Sequence, residues 1–426
     1  MAKKTKGKQD IANPKGIIDS FTNNLDSIRV FVSNVEPIVI AYDEHVSERM
    51  ATIKGGIKEI ITRGRTVTDN VSNIPIKKME IPKERVEQAV EDIMNVLMDY
   101  KKLPRITMAQ VELLYKSSFV MLISFFDYLL YDIIHCYYKM YPERLPDKDL
   151  SINLSELKLC ADLDEAIDVI LNNKVDSIIR EGLKKQKAFF KKTLQINLKV
   201  KIINWDIINE VIERRNIVVH SNSIVDKKYL RNVNFSVVPE KRTAIKEGGK
   251  LSVTSEYFKR AYDEILIAGV VLIQSFWRKW MKDDLDNADT SLIASIFELL
   301  VREEWSITER IGIFSKDIKV YDAASRHILD INYCQSLKWQ GKKTELSAEL
   351  KKFDESNLSP REKVALSALK GDKEGFYKNV EKAVAIGKLT EEDFRNWPLF
   401  RELRQDVEYD ERIKKAFSQK KVVKND

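Results

Sequence analysis

The stretch Glu213-Arg214-Arg215-Asn216-Ile217-Val218-Val219-His220-Ser221-Asn222-Ser223 carries the residues of this chain most suited to chemistry. The chain has four histidines, at 45, 135, 220 and 327. His220 follows an Arg-Asn pair across three β-branched residues, where helical spacing gives way to Ser-Asn-Ser. Asn216 and His220 are four apart and share a helix face. Arg215 stands five before His220, about 140° around an ideal helix. Its long side chain can still bend toward the imidazole at a fraying helix end. An imidazole titrates near neutrality and can exchange a proton with a ribose 2′-hydroxyl or a leaving 5′-oxygen. A guanidinium can hold a phosphate bidentately and stabilise its developing charge. An amide beside them can orient either group. Such a set suits metal-free cleavage of RNA. The bare spacing also fits a helix C-terminus with cations placed against its dipole, so the surrounding sequence has to decide.

The charge pattern favours a polyanionic partner. The formal net charge is +7. Residues 1–10 contribute +3 and residues 414–426 contribute +4, so the body between them is neutral. Within that body, residues 174–260 hold 20 Lys/Arg against 9 Asp/Glu, a net +11. Lys184, Lys185, Lys187, Lys191, Lys192, Lys199 and Lys201 occur there without an intervening acid, around Phe189-Phe190. Lysines could track a phosphate backbone, and an exposed aromatic could stack on a base. The alternative is an ordinary solvated helix face with both phenylalanines in the core, which is the stronger expectation for Phe189 and Phe190.

The elements that must hold these residues are helices. Gly and Pro number 14 and 10, where average usage gives roughly 50 in all. Turn formers are therefore scarce, which argues against an all-β fold. Residues 15–70 show helical spacing, with Ile17, Ile18, Phe21, Leu25, Ile28 and Phe31 as the apolar stripe. Residues 71–84, with Pro75 and Pro82, read as a linker. Helices follow at about 84–100, 106–141, 155–172, 174–192 and 203–220. The run 233–238, then Gly248-Gly249, then 251–254 reads as a small β-hairpin. A long helix over about 255–283 follows, with Ser255 as N-cap. Helix-length segments continue at 290–303, 305–316, 322–340, 343–353, 360–370, 373–386 and 390–404, a series that fits stacked helical hairpins. The apolar stretches 119–134 and 265–277 are interrupted by polar residues and fall short of the ~20 apolar residues of a spanning helix. They read as core helices, and no membrane partner is expected. Cys136, Cys160 and Cys334 fit no metal spacing, and no cofactor is implied. The start MAKKTKGKQD has no apolar segment after it, which points to the cytoplasm.

Arg215-Asn216-x3-His220 resembles the signature of the HEPN superfamily of all-helical RNA-associated domains. The polar stretch Ser221-Asn222-Ser223, the step Ile224-Val225-Asp226, and Tyr229 also resemble some of its branches, although Ser223 stands where relatives often have Gly. Phe125-Phe126-Asp127-Tyr128 looks like the aromatic-acid pair of the family's central helix. The resemblance covers about 80–283. It implies a dimer whose paired Arg/His sets form one cleft, and cleavage of RNA to 2′,3′-cyclic phosphate and 5′-hydroxyl ends. It also implies Arg215 as phosphate binder, His220 as general acid/base and Asn216 as positioning residue, with Arg214 a weaker candidate for phosphate contact. A looser resemblance to tetratricopeptide-like arrays rests on Trp397-Pro398-Leu399-Phe400-x-x-Leu403-Arg404.

These observations predict an all-α chain. Residues 1–14 form a disordered basic tail, 15–79 an N-terminal helical region, 80–283 the HEPN bundle with its hairpin, 284–413 helical repeats, and 414–426 a second basic tail. The expected partners are RNA (tRNA or mRNA), a second copy, and a protein or phage trigger at the repeats. The expected setting is prokaryotic anti-phage defence, as an abortive-infection or toxin effector. The alternative is a non-catalytic scaffold of the same family that binds RNA or a protein.

Overall fold

A computed structural model describes residues 13–71, 83–102, 108–146, 151–198, 201–240 and 245–423. The expected linker around Pro75, Lys199 and most of the N-terminal tail lie outside these residues. The fold is all-α, and among the described residues no strand forms. The first half comprises α1 (Pro14–Val71), α2 (Lys83–Lys102), α3 (Gln110–Met140), α4 (Leu154–Leu157), α5 (Leu163–Arg180), α6 (Leu183–Lys192), α7 (Trp205–His220), α8 (Lys227–Asn232) and α9 (Ser255–Trp280). The second half comprises α10 (Leu285–Val301), α11 (Trp305–Lys316), α12 (Ala323–Trp339), α13 (Lys343–Leu350), α14 (Pro360–Lys370), α15 (Lys373–Ala385), α16 (Glu391–Asn396) and α17 (Tyr409–Val423).

Helix α3 is the axis of the first half. Phe119, Leu122, Ile123, Phe126, Ile133 and Ile134 are fully enclosed. It is long and apolar enough to cross a bilayer, but here it lies in the middle of a protein core, flanked by α1, α5, α7 and α9. Two amides of its first turn, Gln110 and Val111, donate to the carboxylate of Asp43 on α1 at 2.9 Å each. These amides have no partner within their own helix, so α1 caps α3 as well as packing on it. Helix α1 runs through Pro37 without a break. Its buried stripe is Ile17, Ile18, Phe21, Leu25, Ile28 and Val32. Val32 replaces the expected Phe31, which is 52% exposed. The step from Ile28 to Val32 is four residues, the other of the two spacings that keep side chains on one helix face.

Three further expectations need correction. The 79/80 boundary lies outside the described residues, and the 283/284 boundary does not coincide with a break in the core: one apolar cluster runs from Ile17 of α1 through α3 and α9 to Phe314 of α11 and Leu329 of α12. A second cluster, from Ile331 to Ala416, belongs to the last helices. The 233–238 and 251–254 segments do not pair as a hairpin. Phe235–Val237 is a single 3-10 turn, and the amide of Leu251 donates to the Ser223 carbonyl at 2.9 Å. The amide of Val225 donates to the Gly249 carbonyl at 2.8 Å, so the Gly-Gly segment folds against the chain just after α7. Val233, Val238 and Leu251, expected on strands, instead join Ile217, Val225, Tyr229 and Ile245 in a small separate core. Finally, Lys414 and Lys415 sit in α17, which buries Ile413 and Ala416, so the second basic tail starts inside a packed helix.

Thr254, not Ser255, caps α9: its side chain accepts the amide of Tyr257 at 3.1 Å. Asp162 caps α5 by accepting the amide of Glu165 at 2.8 Å, which accounts for the acidic cluster there. His327 on α12 lies 3.3 Å from Glu362 on α14, an inter-helix role. The closing segment seals the second core through Trp397 and Phe400, whose rings are 4.9 Å apart.

Gly269 sits at a tight helix crossing. A Cβ there would collide with the Phe21 ring of α1 and lie 2.9 Å from Leu129 of α3. Gly269→Ala should therefore destabilise the fold by about 1–2 kcal/mol, overpacking outweighing the gain in helix propensity. Gly55 of α1 has nothing within 4 Å. Gly55→Ala should stabilise by about 0.5–1 kcal/mol. Thermal and denaturant unfolding of the two variants in parallel would show opposite shifts; shifts of the same sign would contradict this packing.

Candidate functional site

Helix α7 positions the candidate residues. Asn204 caps it by accepting the amide of Ile207 at 3.2 Å. Its inward stripe is Ile207, Ile208, Val211, Arg214 and Ile217, all buried. An arginine therefore occupies a position where the helical period calls for an apolar residue. Arg214 is fully enclosed, and an unpaired buried charge would be strongly destabilising. The neighbouring residues meet that demand in full. Its Nε donates to Glu210 at 2.8 Å, and Nη1 and Nη2 donate to Glu240 at 2.7 and 2.8 Å. Nη1 also donates to the Ser252 carbonyl at 3.0 Å. The guanidinium lies 3.9 Å over the Tyr257 ring. Tyr229 and Tyr257 both donate to Glu210 at 2.7 Å. Burial works against the charge of Arg214, but Tyr257, Glu240 and Glu210 outweigh it and hold its pKa above the usual value. The expectation that Arg214 contacts RNA is overturned: the residue is an internal tie between α7, α8, α9 and the loop between them.

One residue on, and about 100° around the helix, Arg215 faces α3. Its Nη2 donates to Asp127 at 3.0 Å, and both side chains are about a quarter exposed, 25% and 28%. Burial pushes the Asp127 carboxyl above its ordinary pKa, and the charge of Arg215 pulls it back only in part. The Nε of Arg215 is buried without a partner. Asn216 is half-buried and His220 is exposed at the last position of α7. Asn216 and His220 thus share the open flank of the helix, with Arg215 on the side turned to α3. The ion-pair partner of Arg215 within the chain is Asp127, not His220.

The turn after His220 explains why glycine suits position 223. Asn222 and Ser223 adopt φ of 49° and 67°, the left-handed region disfavoured by side chains. Ser223 is fully buried and its hydroxyl has no partner. Its amide donates to the Ile217 carbonyl at 2.9 Å, which closes the end of α7 and fixes where His220 stands.

The lysine cluster sits elsewhere. Lys184, Lys185, Lys191 and Lys192 are exposed on α6, and Lys185 pairs with Glu181 at 3.2 Å. Lys187 is half-buried, 4.9 Å over the ring of Trp205, and burial lowers its pKa. Trp205 opens α7 and His220 closes it, so α6 lies at the other end of α7, about 22 Å along the axis. Phe190 is buried, and Phe189 packs against the core with its ring 6.0 Å from Tyr138, so neither is free to stack on a base. Among the described residues no group of three or more His, Cys, Asp or Glu is arranged to hold a metal ion.

Comparison with protein-family models, with curated proteins and with solved structures finds no match for this chain.

Spacing alone does not reveal Asp127 as the partner of Arg215 or Glu240 as a partner of Arg214, because the pairs are 88 and 26 residues apart. Glu210 does carry a signal, standing four before Arg214 on one helix face. The two arginines should respond differently to removal. Arg214→Ala strands the buried carboxylate of Glu210 and the partly exposed one of Glu240 and should cost about 3–5 kcal/mol, whereas Arg215→Ala breaks a partly exposed pair and should cost about 1 kcal/mol or less. Denaturant unfolding of both variants checks this, and equal losses would refute the division between them. Ser223→Gly relieves backbone strain of order 1 kcal/mol and should leave stability unchanged or raised; a drop in melting temperature would count against the left-handed turn.

Proposed function

We propose that this chain is a metal-independent endoribonuclease of the HEPN type, acting on RNA as a homodimer. The observation that carries the reading is the division of labour between adjacent arginines. Arg214 is enclosed as a structural tie, while Arg215 stays partly exposed against α3 and Asn216 and His220 lie on the open flank of the same helix. In this reading His220 removes the proton from a ribose 2′-hydroxyl. The 2′-oxygen attacks the adjacent phosphorus, the bond from phosphorus to the 5′-oxygen breaks, and an imidazolium returns a proton to that oxygen. The products are a 2′,3′-cyclic phosphate and a 5′-hydroxyl. Arg215 balances the charge that accumulates on the phosphoryl oxygens, and Asp127 fixes its guanidinium from behind. Asn216 orients the phosphate or the imidazole.

A dimer suits the surface beside these residues. Met121 and Tyr128 of α3, Val219 of α7 and Ile224 are exposed apolar side chains on or next to the elements that carry Asp127, Arg215 and His220. A second copy covering them would bring a second imidazole to the same cleft, giving one base and one acid. The exposed lysines of α6 support binding of a longer RNA, tRNA or mRNA, that reaches beyond the cleft. We place the activity in the cytoplasm of a prokaryote, as a toxin or abortive-infection effector, with the C-terminal helices receiving a protein partner or phage trigger. One observation favours the scaffold reading: Asp127 already occupies one edge of Arg215.

Incubation of the wild type with total RNA and with tRNA, followed by analysis of fragment ends, tests the proposal. Cyclic-phosphate ends are expected, with His220→Ala and Arg215→Ala lowering the rate by at least about 100-fold while the fold is retained. Cleavage by His220→Ala at the wild-type rate would remove the catalytic assignment. Salt-dependent RNA binding with no cleavage would establish the scaffold instead.

A further inference from the structure

Helix α2 turns an apolar stripe away from the rest of the protein. It packs on α1, and a Cβ at Gly56 of α1 would lie 3.5 Å from the side chain of Val96. Val96 therefore marks the inner face of α2. Val90, Met94, Leu97 and Met98 stand about 100–160° around the helix from it. Each is about half exposed, from 49% to 54%. Their spacing of i, i+4, i+7 and i+8 is that of a helix face made for burial. The four side chains are contiguous, unlike the single apolar residues scattered over an ordinary surface.

Charge and symmetry decide what covers this face. The helix carries four basic and five acidic residues. RNA and anionic lipid surfaces both call for a basic face, so neither suits it. The order of residues about Met94 suits a second copy. Val90 and Met98 lie four residues to either side of Met94, and Glu87 and Lys101 lie seven to either side. Glu87 and Lys101 are exposed and belong to the same outward face, about 180° and 140° from Val96. A two-fold contact sets each residue against the one equally far from the axis on the other copy. With antiparallel helices and the axis at Met94, Val90 meets Met98 and Glu87 meets Lys101, each pair occurring twice. In a parallel pair Glu87 would face Glu87 and Lys101 would face Lys101, and like charges would repel. A face shaped for an unrelated partner has no need to complement itself in this way.

We propose that α2 is a self-association helix. Two copies of the chain pair antiparallel through Val90, Met94, Leu97 and Met98, with a Glu87–Lys101 contact at each end. Because α1 lies behind each α2, the contact is a four-helix bundle. None of Asp127, Arg215, Asn216 and His220 is on α2, so the proposal does not rest on the ribonuclease reading. The α2 face alone gives a dimer, and a second self-complementary face beside α7 would extend it to a tetramer or a longer assembly.

Disulfide capture in the full-length protein tests the pairing, in a Cys160→Ser background because Cys136 and Cys334 are buried. Met94→Cys lies on the axis and should give a covalent dimer under mild oxidation. Val90→Cys alone should not, because its two copies stand eight residues apart along the pair, about 12 Å, beyond disulfide reach. Mixing Val90→Cys with Met98→Cys should restore capture. A parallel pair would capture Met94→Cys and Val90→Cys alike, and a face reserved for another partner would capture neither; each result would overturn the proposal. Sedimentation equilibrium gives a second readout. Glu87→Lys and Lys101→Glu should each weaken self-association at least about fivefold at an unchanged melting temperature, and the double variant should regain it. A double variant no stronger than the single ones would refute the antiparallel register. Neither readout uses RNA cleavage, so failure here and failure of the ribonuclease reading are separate results.

Discussion

The enclosed Glu210–Arg214 pair is the interaction on which this architecture turns. An ion pair removed from water is tolerated only when its remaining hydrogen bonds are met, and here they are met by groups from α7, α8, α9 and the intervening loop. Those segments cannot shift independently without leaving a charge unpaired. The pair thereby sets the rotation of α7 about its own axis. With Arg214 pointing inward, Arg215 must face α3, and Asn216 and His220 must lie on the open flank. A rotation of one residue would bury Arg215 and expose Arg214. The local geometry of the candidate site follows from a contact outside it.

The second constraint comes from the end of α7. Ser223 accepts a left-handed backbone and full burial, which lets its amide and carbonyl pair with Ile217 and Leu251. The helix therefore stops abruptly, and His220 is held at a defined edge instead of a frayed one. The small core beneath it, from Ile217 to Leu251, includes Val233, Val238 and Leu251, whose pattern suggests strands. Their side chains cover the end of a helix, and their backbones find partners in turns.

Helix α9 holds two differently satisfied arginine environments. Its first turn supplies Tyr257 to the Arg214 tie, and its last turns carry Arg278, paired with Asp289. Between them it runs through the main core, where Gly269 lets α1 and α3 approach closely. The two arginine environments differ in kind. Arg214 is complete within the chain, as expected of a structural element. Arg278 keeps two buried donors without a partner among the described residues.

Much of this was legible from residue types and spacing. The shortage of Gly and Pro required helices, and the expected helices at 305–316 and 360–370 coincide with α11 and α14, because both have clear breaks at each end. The common face of Asn216 and His220 follows from the helical repeat, and the acidic start of α5 follows from capping chemistry. Other features depend on contacts between distant segments, which spacing does not encode. These include Val32 over Phe31 in the stripe of α1, the pairing of Leu251 with Ser223, and a core that continues past residue 283. Adjacent arginines look alike in a sequence. Which one is enclosed was decided only in three dimensions, because Glu240, Tyr257 and Asp127 reach α7 from elsewhere in the chain, and a buried charge must go where its partners are.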